Sequence, residues 1–264
     1  MRIVSLASGS SGNAILVDSG ATKVLVDCGI GPRTLKQRLA FAGVTPEEVS
    51  AIFVTHEHVD HSRGVAQAAT KWKWDVFASQ GTVRGLGTEI RHRAQIVGQR
   101  VRVGDLDVDL IRVQHDANEP TALHFSDRAT GMRAGVAHDL GEPTDALIKA
   151  FSGVDLLCIE ANYDAEMLRS GPYPSYLKSR VASGTGHLSN EQSAAFIDAV
   201  ATPDLRAVLL LHLSEVNNTP SVACAATKRG ITRRARKASL AAAVRKAPSA
   251  PIGMARGVQL ALAI

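Results

Sequence analysis

The feature that most constrains this chain is a join. An apolar run, "VSAIFV" (49–54), passes directly into "THEHVDH" (55–61). A short apolar run of this kind reads as a buried strand, expected over 49–56. His56, His58, Asp60 and His61 follow within six residues. On an extended segment, residues i and i+2 point the same way, so His56 and His58 can grip one ion. Asp60 and His61 lie past the bend and can face a second. Three imidazoles and a carboxylate are borderline ligands suited to zinc, manganese or iron. A lone histidine would more often sit in a solvated loop. So dense a set at the end of a buried strand argues against that.

Four residues cannot hold two ions, so further ligands are expected at other strand ends. His115 follows "VDLIRVQ", Asp139 follows "MRAGVAH" and His212 follows "RAVLLL". Asp27, after "KVLV", is a carboxylate in the same kind of place.

The remaining pattern is that of an α/β protein. Strands are expected at 2–7, 14–19, 23–29, 74–79, 121–127, 154–162 and 205–212, a continued β pattern at 131–141 after a turn, and β-hairpin structure through 81–113. Helices are expected at 31–43, 62–74, 143–153 and 188–201. The last opens on Ser189, with Gln192 three residues on completing a capping-box pattern. Short helices fit "DAEMLRS" and "PSYLKSRVA". A basic helical stretch is expected over about 219–247, and a last strand at "VQLALAI". Hairpins dominate the first half, and strand alternates with helix in the second. That suits two mixed sheets packed face to face with helices outside, a four-layer αβ/βα sandwich. No linker interrupts the 264 residues, so one domain is expected.

Composition adds bounds. The net charge of +5 is concentrated: eight Lys/Arg and no Asp/Glu lie between Lys228 and Lys246, leaving 22 basic and 25 acidic residues elsewhere. Such a segment suits a nucleic-acid backbone or a solvated helix face. Aromatic content of 4% argues weakly against a stacking platform for single strands. Trp72 and Trp74 alternate with lysines but are expected to pack. Cys28, Cys158 and Cys224 form no CxxC pair and read as small buried hydrophobes in a reducing compartment. "MRIVSLASGSSGN" lacks the apolar core of a signal peptide, and no apolar run approaches membrane-spanning length. A cytoplasmic protein with no membrane partner is expected.

The HxHxDH run resembles the signature of the metallo-β-lactamase fold superfamily, mainly hydrolases. "LVDCG", "THEHVDH", "HDANEP", "AHDLG" and "LLLHLS" follow in that family's order over nearly the whole chain. "SLASGSSGN" together with "GHLSNE" and "HLSEVNN" looks like the YycJ-type group, regarded as DNA exonucleases and related to ribonuclease Z and to a cyclic phosphodiesterase of phosphonate breakdown. The resemblance implies two divalent ions, zinc first and manganese or iron as alternatives. His56, His58 and His115 would bind one; Asp60, His61 and His212 the other; Asp139 would bridge them. Asp27 would orient a ligand histidine from behind. Two departures stand out. His138 occupies a position where Thr is common and is expected to point to the opposite face of its strand. Val59 replaces a usual small residue and should affect packing only.

Two such ions can share a hydroxide and make it nucleophilic near neutral pH. Asp60 belongs to the catalytic centre but would be occupied by metal, so the leaving group needs another acid. His187 stands in "SGTGHLSN" just before a helix and has no vacant metal to bind. Relatives in this resemblance use a histidine in such a place, so His187 is the expected general acid. Ser10, Ser11 and Asn13 of the glycine loop, and Asn217, are candidate substrate contacts. The loop could equally be only a hairpin turn, and Asn217 a loop brace.

The leading reading is a dinuclear metal-dependent phosphodiesterase, most specifically a DNA exonuclease acting on nucleic acid or another phosphodiester. The runner-up is a small-substrate hydrolase of the same fold: a cyclic phosphodiesterase, lactonase or thioesterase. His187 favours phosphodiesters, since a good leaving group needs no acid. A third reading, from another class, is a non-catalytic nucleic-acid-binding or regulatory protein. Oligomeric state, DNA against RNA, and polarity of attack are left open.

Overall fold

A computed structural model describes residues 1–232 and 234–254. The expected strand "VQLALAI" lies outside the described residues.

The first sheet is built from β1 (Arg2–Ala7), β2 (Ala14–Asp18), β3 (Lys23–Val26), β4 (Val49–Val54), β5 (Asp75–Ala78) and β6 (Ala94–Ile96). β1, β2 and β3 pair antiparallel, whereas β3 to β6 run parallel. Between them lie α1 (Pro32–Phe41), α2 (Val59–Ser62), α3 (Val65–Trp72), α4 (Gln80–Gly85) and α5 (Thr88–Arg91). The second sheet contains β7 (Arg100–Val103), β8 (Leu106–Arg112), β9 (Thr121–Asp127), β10 (Arg133–Ala137), β11 (Leu156–Glu160), β12 (Ala207–Leu211) and β13 (Ser239–Ala242). β7 to β10 are antiparallel neighbours, and β10 to β13 run parallel. Helices α6 (Asp145–Phe151), α7 (Ala165–Ser170), α8 (Ser175–Val181), α9 (Asn190–Val200) and α10 (Pro220–Thr232) belong to this half, and β14 (Ile252–Gly253) returns to pair with β1.

Three apolar layers explain the stacking. Ile3, Phe53, Phe125 and Leu209 pack between the sheets, where Phe53 stacks on Phe77 at 5.2 Å and meets Phe125 edge-on at 6.2 Å. Leu35 and Leu39 of α1 and Ala68 of α3 cover the outer face of the first sheet. Leu147, Phe151, Phe196 and Ile197 of α6 and α9 cover the second. The result is the expected four-layer αβ/βα sandwich. β11 and β12 are buried at every position, as strands covered on both faces must be, which is why they read as continuous apolar runs.

Two expectations change. Residues 80–91 form α4 and α5 instead of hairpin: Ser79 caps α4, its hydroxyl accepting from the Thr82 amide. Only β7 and β8 make a hairpin there. The basic stretch is not one helix. α10 ends at Thr232, and Ser239–Ala242 instead extend the second sheet beside β12. Alternating exposure along β13 leaves one face against the protein and one outward, which is strand periodicity. Trp74 is buried, donating its indole N–H to the Pro46 carbonyl, and Trp72 stacks on it at 5.0 Å, so both tryptophans pack as expected. No helix among the described residues is long and apolar enough to cross a membrane.

Candidate metal centre

Parallel strands end on the same edge of a sheet, and that is where the polar residues collect. Asp27 follows β3, His56 follows β4, Asp139 follows β10 and His212 follows β12. Asp27, Asp139 and His212 have φ of 59°, 55° and 53°. The left-handed region costs a non-glycine residue about 1–3 kcal/mol and persists only where the surroundings enforce it. Asp27 shows how: its carboxylate accepts from the Thr55 amide, the Thr55 hydroxyl and His61 Nδ1, each at 2.8 Å. The sharp turn drops each side chain into the cleft instead of continuing the strand.

The HxHxDH loop is pinned by backbone. Asn13 N donates to Asp60 O, Cys28 N to His61 O, and Gly64 N to Cys28 O, at 2.7–2.8 Å. Gly29 makes this approach feasible: a Cβ there would lie 1.6 Å from the Asp60 carbonyl oxygen. Gly29→Ala must therefore push the loop away. It should cost roughly 1–3 kcal/mol, as overpacking does, and weaken metal binding on the Asp60 side. Thermal melting and metal content per chain check this. An unchanged melting point with wild-type metal content would overturn it.

Two donor sets converge. One is His56, His58 and His115; the other is Asp60, His61, Asp139 and His212; ligand atoms within each lie within 4.8 Å of one another. Asp139 lies between them, with Oδ2 2.6 Å from His61 Nε2 and 3.5 Å from His56 Nε2, and Oδ1 2.9 Å from His212 Nδ1. The outward hydrogen bonds of the rings select the inward nitrogens. His56 Nδ1 faces Thr55 Oγ1, His115 Nδ1 faces the Gly186 carbonyl and His61 Nδ1 faces Asp27, leaving their Nε2 atoms for the centre. His58 turns the other way, with Nδ1 3.1 Å from His56 Nε2. His212 Nε2 is buried without a hydrogen-bond partner among the described residues and lies 3.8 Å from Asp60 Oδ2. A buried nitrogen without a partner among histidines and carboxylates is costly unless a cation binds there, and the two donor sets around it fit two divalent ions. A dinuclear metal-binding cluster is present.

Electrostatics distinguishes the two halves. Burial holds His56 well below the usual histidine range and lowers His115 as well. Both are thus neutral at pH 7, the form that ligates. Burial also opposes charge on His61 and His212, but the carboxylates around them, Asp139 first, together with Asp27 at His61 and with Asp60 and Glu160 at His212, outweigh it, and both are held well above that range. Burial would raise Asp139 and Asp60. Their histidine neighbours hold both well below the ordinary carboxylate range. A metal entering this half replaces protons as the counter-charge, so its uptake releases protons.

The other expected residues fall as follows. Ser10 and Ser11 line a cavity of about 420 Å³ that contains the centre, along with His58, Asp60, His115, Asp139, His187 and His212. Asn13 does not line that cavity. It is buried, with Nδ2 3.3 Å from Asp60 Oδ2 and 3.0 Å from His61 Nε2, and so braces two ligands. Asn217 is fully buried and away from the cavity lining, because its loop folds under α7: its carbonyl accepts from Asp164 N. Asn218 ties the same loop to Ala161, Asn162 and Asn190, so the bracing side chain is Asn218, while the Asn217 side-chain amide is buried without a hydrogen-bond partner among the described residues. His138 does not point to the opposite face. Its ring stacks on His61 at 4.8 Å, with Nε2 3.1 Å from Asp27 Oδ2, because the strand ends at Ala137 and alternation ends with it. Val59 is exposed and heads α2.

His187 lines the cavity, and its Nδ1 lies 2.7 Å from Glu160 Oε1. Burial would lower its pKa, but the Glu160 carboxylate raises it above the ordinary value. Burial would likewise raise Glu160. The charge of His187, with hydrogen bonds from His187 and His212, brings it down to about 2. Glu160 also accepts from the Leu140 and Leu188 amides. Sequence reasoning missed Glu160, although it ends the apolar run "VDLLCIE" as His212 ends "RAVLLLH". Asn162, which donates to the His212 carbonyl and sits 3.1 Å from its Nδ1, was missed too and follows the same strand.

Comparison with known proteins agrees with this geometry. The model of the family described as "Beta-lactamase superfamily domain" matches residues 22–213, a span running from just before Asp27 to just after His212. The chain is 35% identical over 228 residues to "Exodeoxyribonuclease WalJ" of Streptococcus pneumoniae, covering 83% of each chain. It is 34% identical over 227 residues to "Exodeoxyribonuclease YycJ" of Bacillus anthracis, covering 83% of this chain and 84% of that one. In fold it is similar to the crystal structure of the metallo-β-lactamase fold protein YhfI from Bacillus subtilis, with a TM-score of 0.66 at 17% identity over 94% of this chain and 98% of that one. With its two sheets, its paired donor sets and these relatives, the chain belongs to the metallo-β-lactamase fold superfamily of metal-dependent hydrolases.

Proposed function

We propose that this hydrolase cleaves phosphodiester bonds in nucleic acid, as a DNA exonuclease, with zinc as its first-choice metal and His187 as general acid. The observation that carries the reading is the His187–Glu160 pair at 2.7 Å on the wall of the metal cavity. Glu160 engages Nδ1, so Nε2 is the ring nitrogen available to the cavity. Glu160 also favours the imidazolium, so a proton stands ready at Nε2 for a departing alkoxide oxygen. Esters with good leaving groups need no such donor. The names of the relatives, both exodeoxyribonucleases, support the same substrate class.

His56, His58 and His115 would hold one ion and Asp60, His61 and His212 the other, with Asp139 between them. Two ions held there would make water nucleophilic near neutral pH and offset charge gathering on phosphoryl oxygens. Asp27 and Asn13 keep His61 and Asp60 in place, and Ser10 and Ser11 face the substrate side of the cavity.

The test is direct. Purified protein is expected to carry two divalent ions per chain, hydrolyse bis(p-nitrophenyl) phosphate and shorten end-labelled DNA. Chelation should abolish both reactions, and added zinc or manganese should restore them. Two bound metals without any turnover would favour a nucleic-acid-binding or regulatory role instead. Turnover of cyclic phosphodiesters, lactones or thioesters in preference to DNA would favour the small-substrate reading.

A further inference from the structure

The cavity has one wall that the ligands and His187 do not use. Tyr173, Leu177 and Val181 all line it: Leu177 and Val181 stand one turn apart on α8, and Tyr173 lies in the turn before it, so the three form one stripe by their place on the cavity wall. Tyr173 is held in "GPYPS". Pro172 and Pro174 flank it, fixing their own φ and restricting Tyr173 to extended backbone. The turn is seated by Gly171, where a Cβ would lie 2.5 Å from the Met167 carbonyl oxygen and 2.7 Å from Asn217 Oδ1. The ring is thus presented by a stiff segment packed on buried structure. The far end of the stripe reaches the catalytic wall, where the Val181 carbonyl accepts from the His187 amide at 2.9 Å.

Charge beside the stripe points to what it receives. Arg180 lines the same cavity and places Nε and Nη2 on Asp116 Oδ2, at 3.0 and 2.6 Å, which among the described residues leaves Nη1 for an anion. Asp116 in turn lies 3.2 Å from His115 Nε2, so the guanidinium stands one carboxylate away from the first donor set. Arg245, also on the cavity lining, is paired with Glu215 and packs against Gly9. An aromatic and aliphatic wall with guanidinium groups at its margin, continuous with a phosphoryl-transfer centre, matches a flat base attached to a phosphate.

We propose that Tyr173, Leu177 and Val181 form a seat for the nucleobase next to the scissile phosphate, with Arg180 receiving the neighbouring phosphate group. The proposal rests on the phosphodiesterase reading above and names the part of the substrate that this wall recognises. The Tyr173 hydroxyl is the only polar side-chain group in the stripe, so the seat accepts any base by its face and reads no sequence.

The test compares two substrates on one set of variants: a single-stranded thymidine oligonucleotide, and methyl p-nitrophenyl phosphate, which has no base. Tyr173→Ala is expected to lose roughly ten- to a hundredfold in kcat/KM on the oligonucleotide, the usual worth of one base–aromatic stack, and to stay within about twofold on the small ester. Tyr173→Phe should behave as wild type on both. Tyr173→Leu, which preserves packing without a ring face, should follow Tyr173→Ala. Equal losses on both substrates, or no loss on the oligonucleotide, would overturn the seat. If wild type cleaves neither substrate, the phosphodiesterase reading fails. The seat is then judged by fluorescence anisotropy of the labelled oligonucleotide: weaker binding by Tyr173→Ala supports it, and equal binding removes it.

Discussion

His187→Ala is expected to keep both metals and lose roughly a hundred- to ten-thousandfold in kcat on phosphodiesters with poor leaving groups, the range over which general acids act. The loss should shrink sharply with p-nitrophenyl leaving groups, which depart without a proton. The variant touches none of the two donor sets assigned to the ions, so metal content should stay at the wild-type value. Loss of a metal would mean that His187 is a ligand and that its assignment as acid is wrong. Glu160→Gln tests the same pair through pH. The Glu160 carboxylate raises the pKa of His187, so removing its charge lowers that pKa. The acid is required protonated, and the protonated fraction then falls at a lower pH. The basic limb of the kcat profile should move toward acid, while the acidic limb, set by other groups, stays. A basic limb that does not move would detach Glu160 from the reaction.

Asp139→Asn should be still more damaging. Asn tolerates the left-handed backbone that residue 139 adopts and is nearly the same shape, so the variant isolates charge. Asp139 stands 2.6 Å from His61, 2.9 Å from His212 and 3.5 Å from His56. It is the carboxylate that joins the two donor sets. Its amide should lower metal affinity at the Asp60–His61–His212 side by roughly a hundredfold, the upper end of what even outer carboxylates cost, and remove most turnover. In the metal-free protein the same change takes away the main counter-charge of His61 and His212, so both should titrate at lower pH. Calorimetric zinc titration and the histidine signals in NMR read the two effects. Two metals bound with wild-type affinity would sink the bridging role.

How much of this was legible beforehand follows from where each residue's direction is set. The donor residues His56, His58, Asp60, His61, His115, Asp139 and His212 each follow an apolar run or the bend just after one. Parallel strands deliver such positions to one edge, so the local pattern was enough to collect them. Ser189 and Gln192 announced α9 for the same reason, since a capping box is satisfied within four residues. Where the local pattern was weak, expectation slipped. Residues 80–91 have too few apolar positions to tell helix from strand, and the Ser79 cap decided it. The basic run hid a four-residue strand whose pairing partner, β12, lies some thirty residues earlier.

His-Leu-Ser occurs twice, in "GHLSNE" and in "HLSEVNN", and the two histidines mark the limit most clearly. By itself the sequence determined that His212 follows a buried strand and that His187 stands just before a helix, which sets the two apart. Only the tertiary structure decided that both rings lie against the same carboxylate, Glu160. It also turned Asn13 toward the ligands, Asn217 under α7, His138 behind His61, and Tyr173 into the cavity. The physical reason is shared. Alternation fixes a side chain's face only inside a strand. Past its end, φ and the packing of distant loops set the direction, and those are properties of the folded chain.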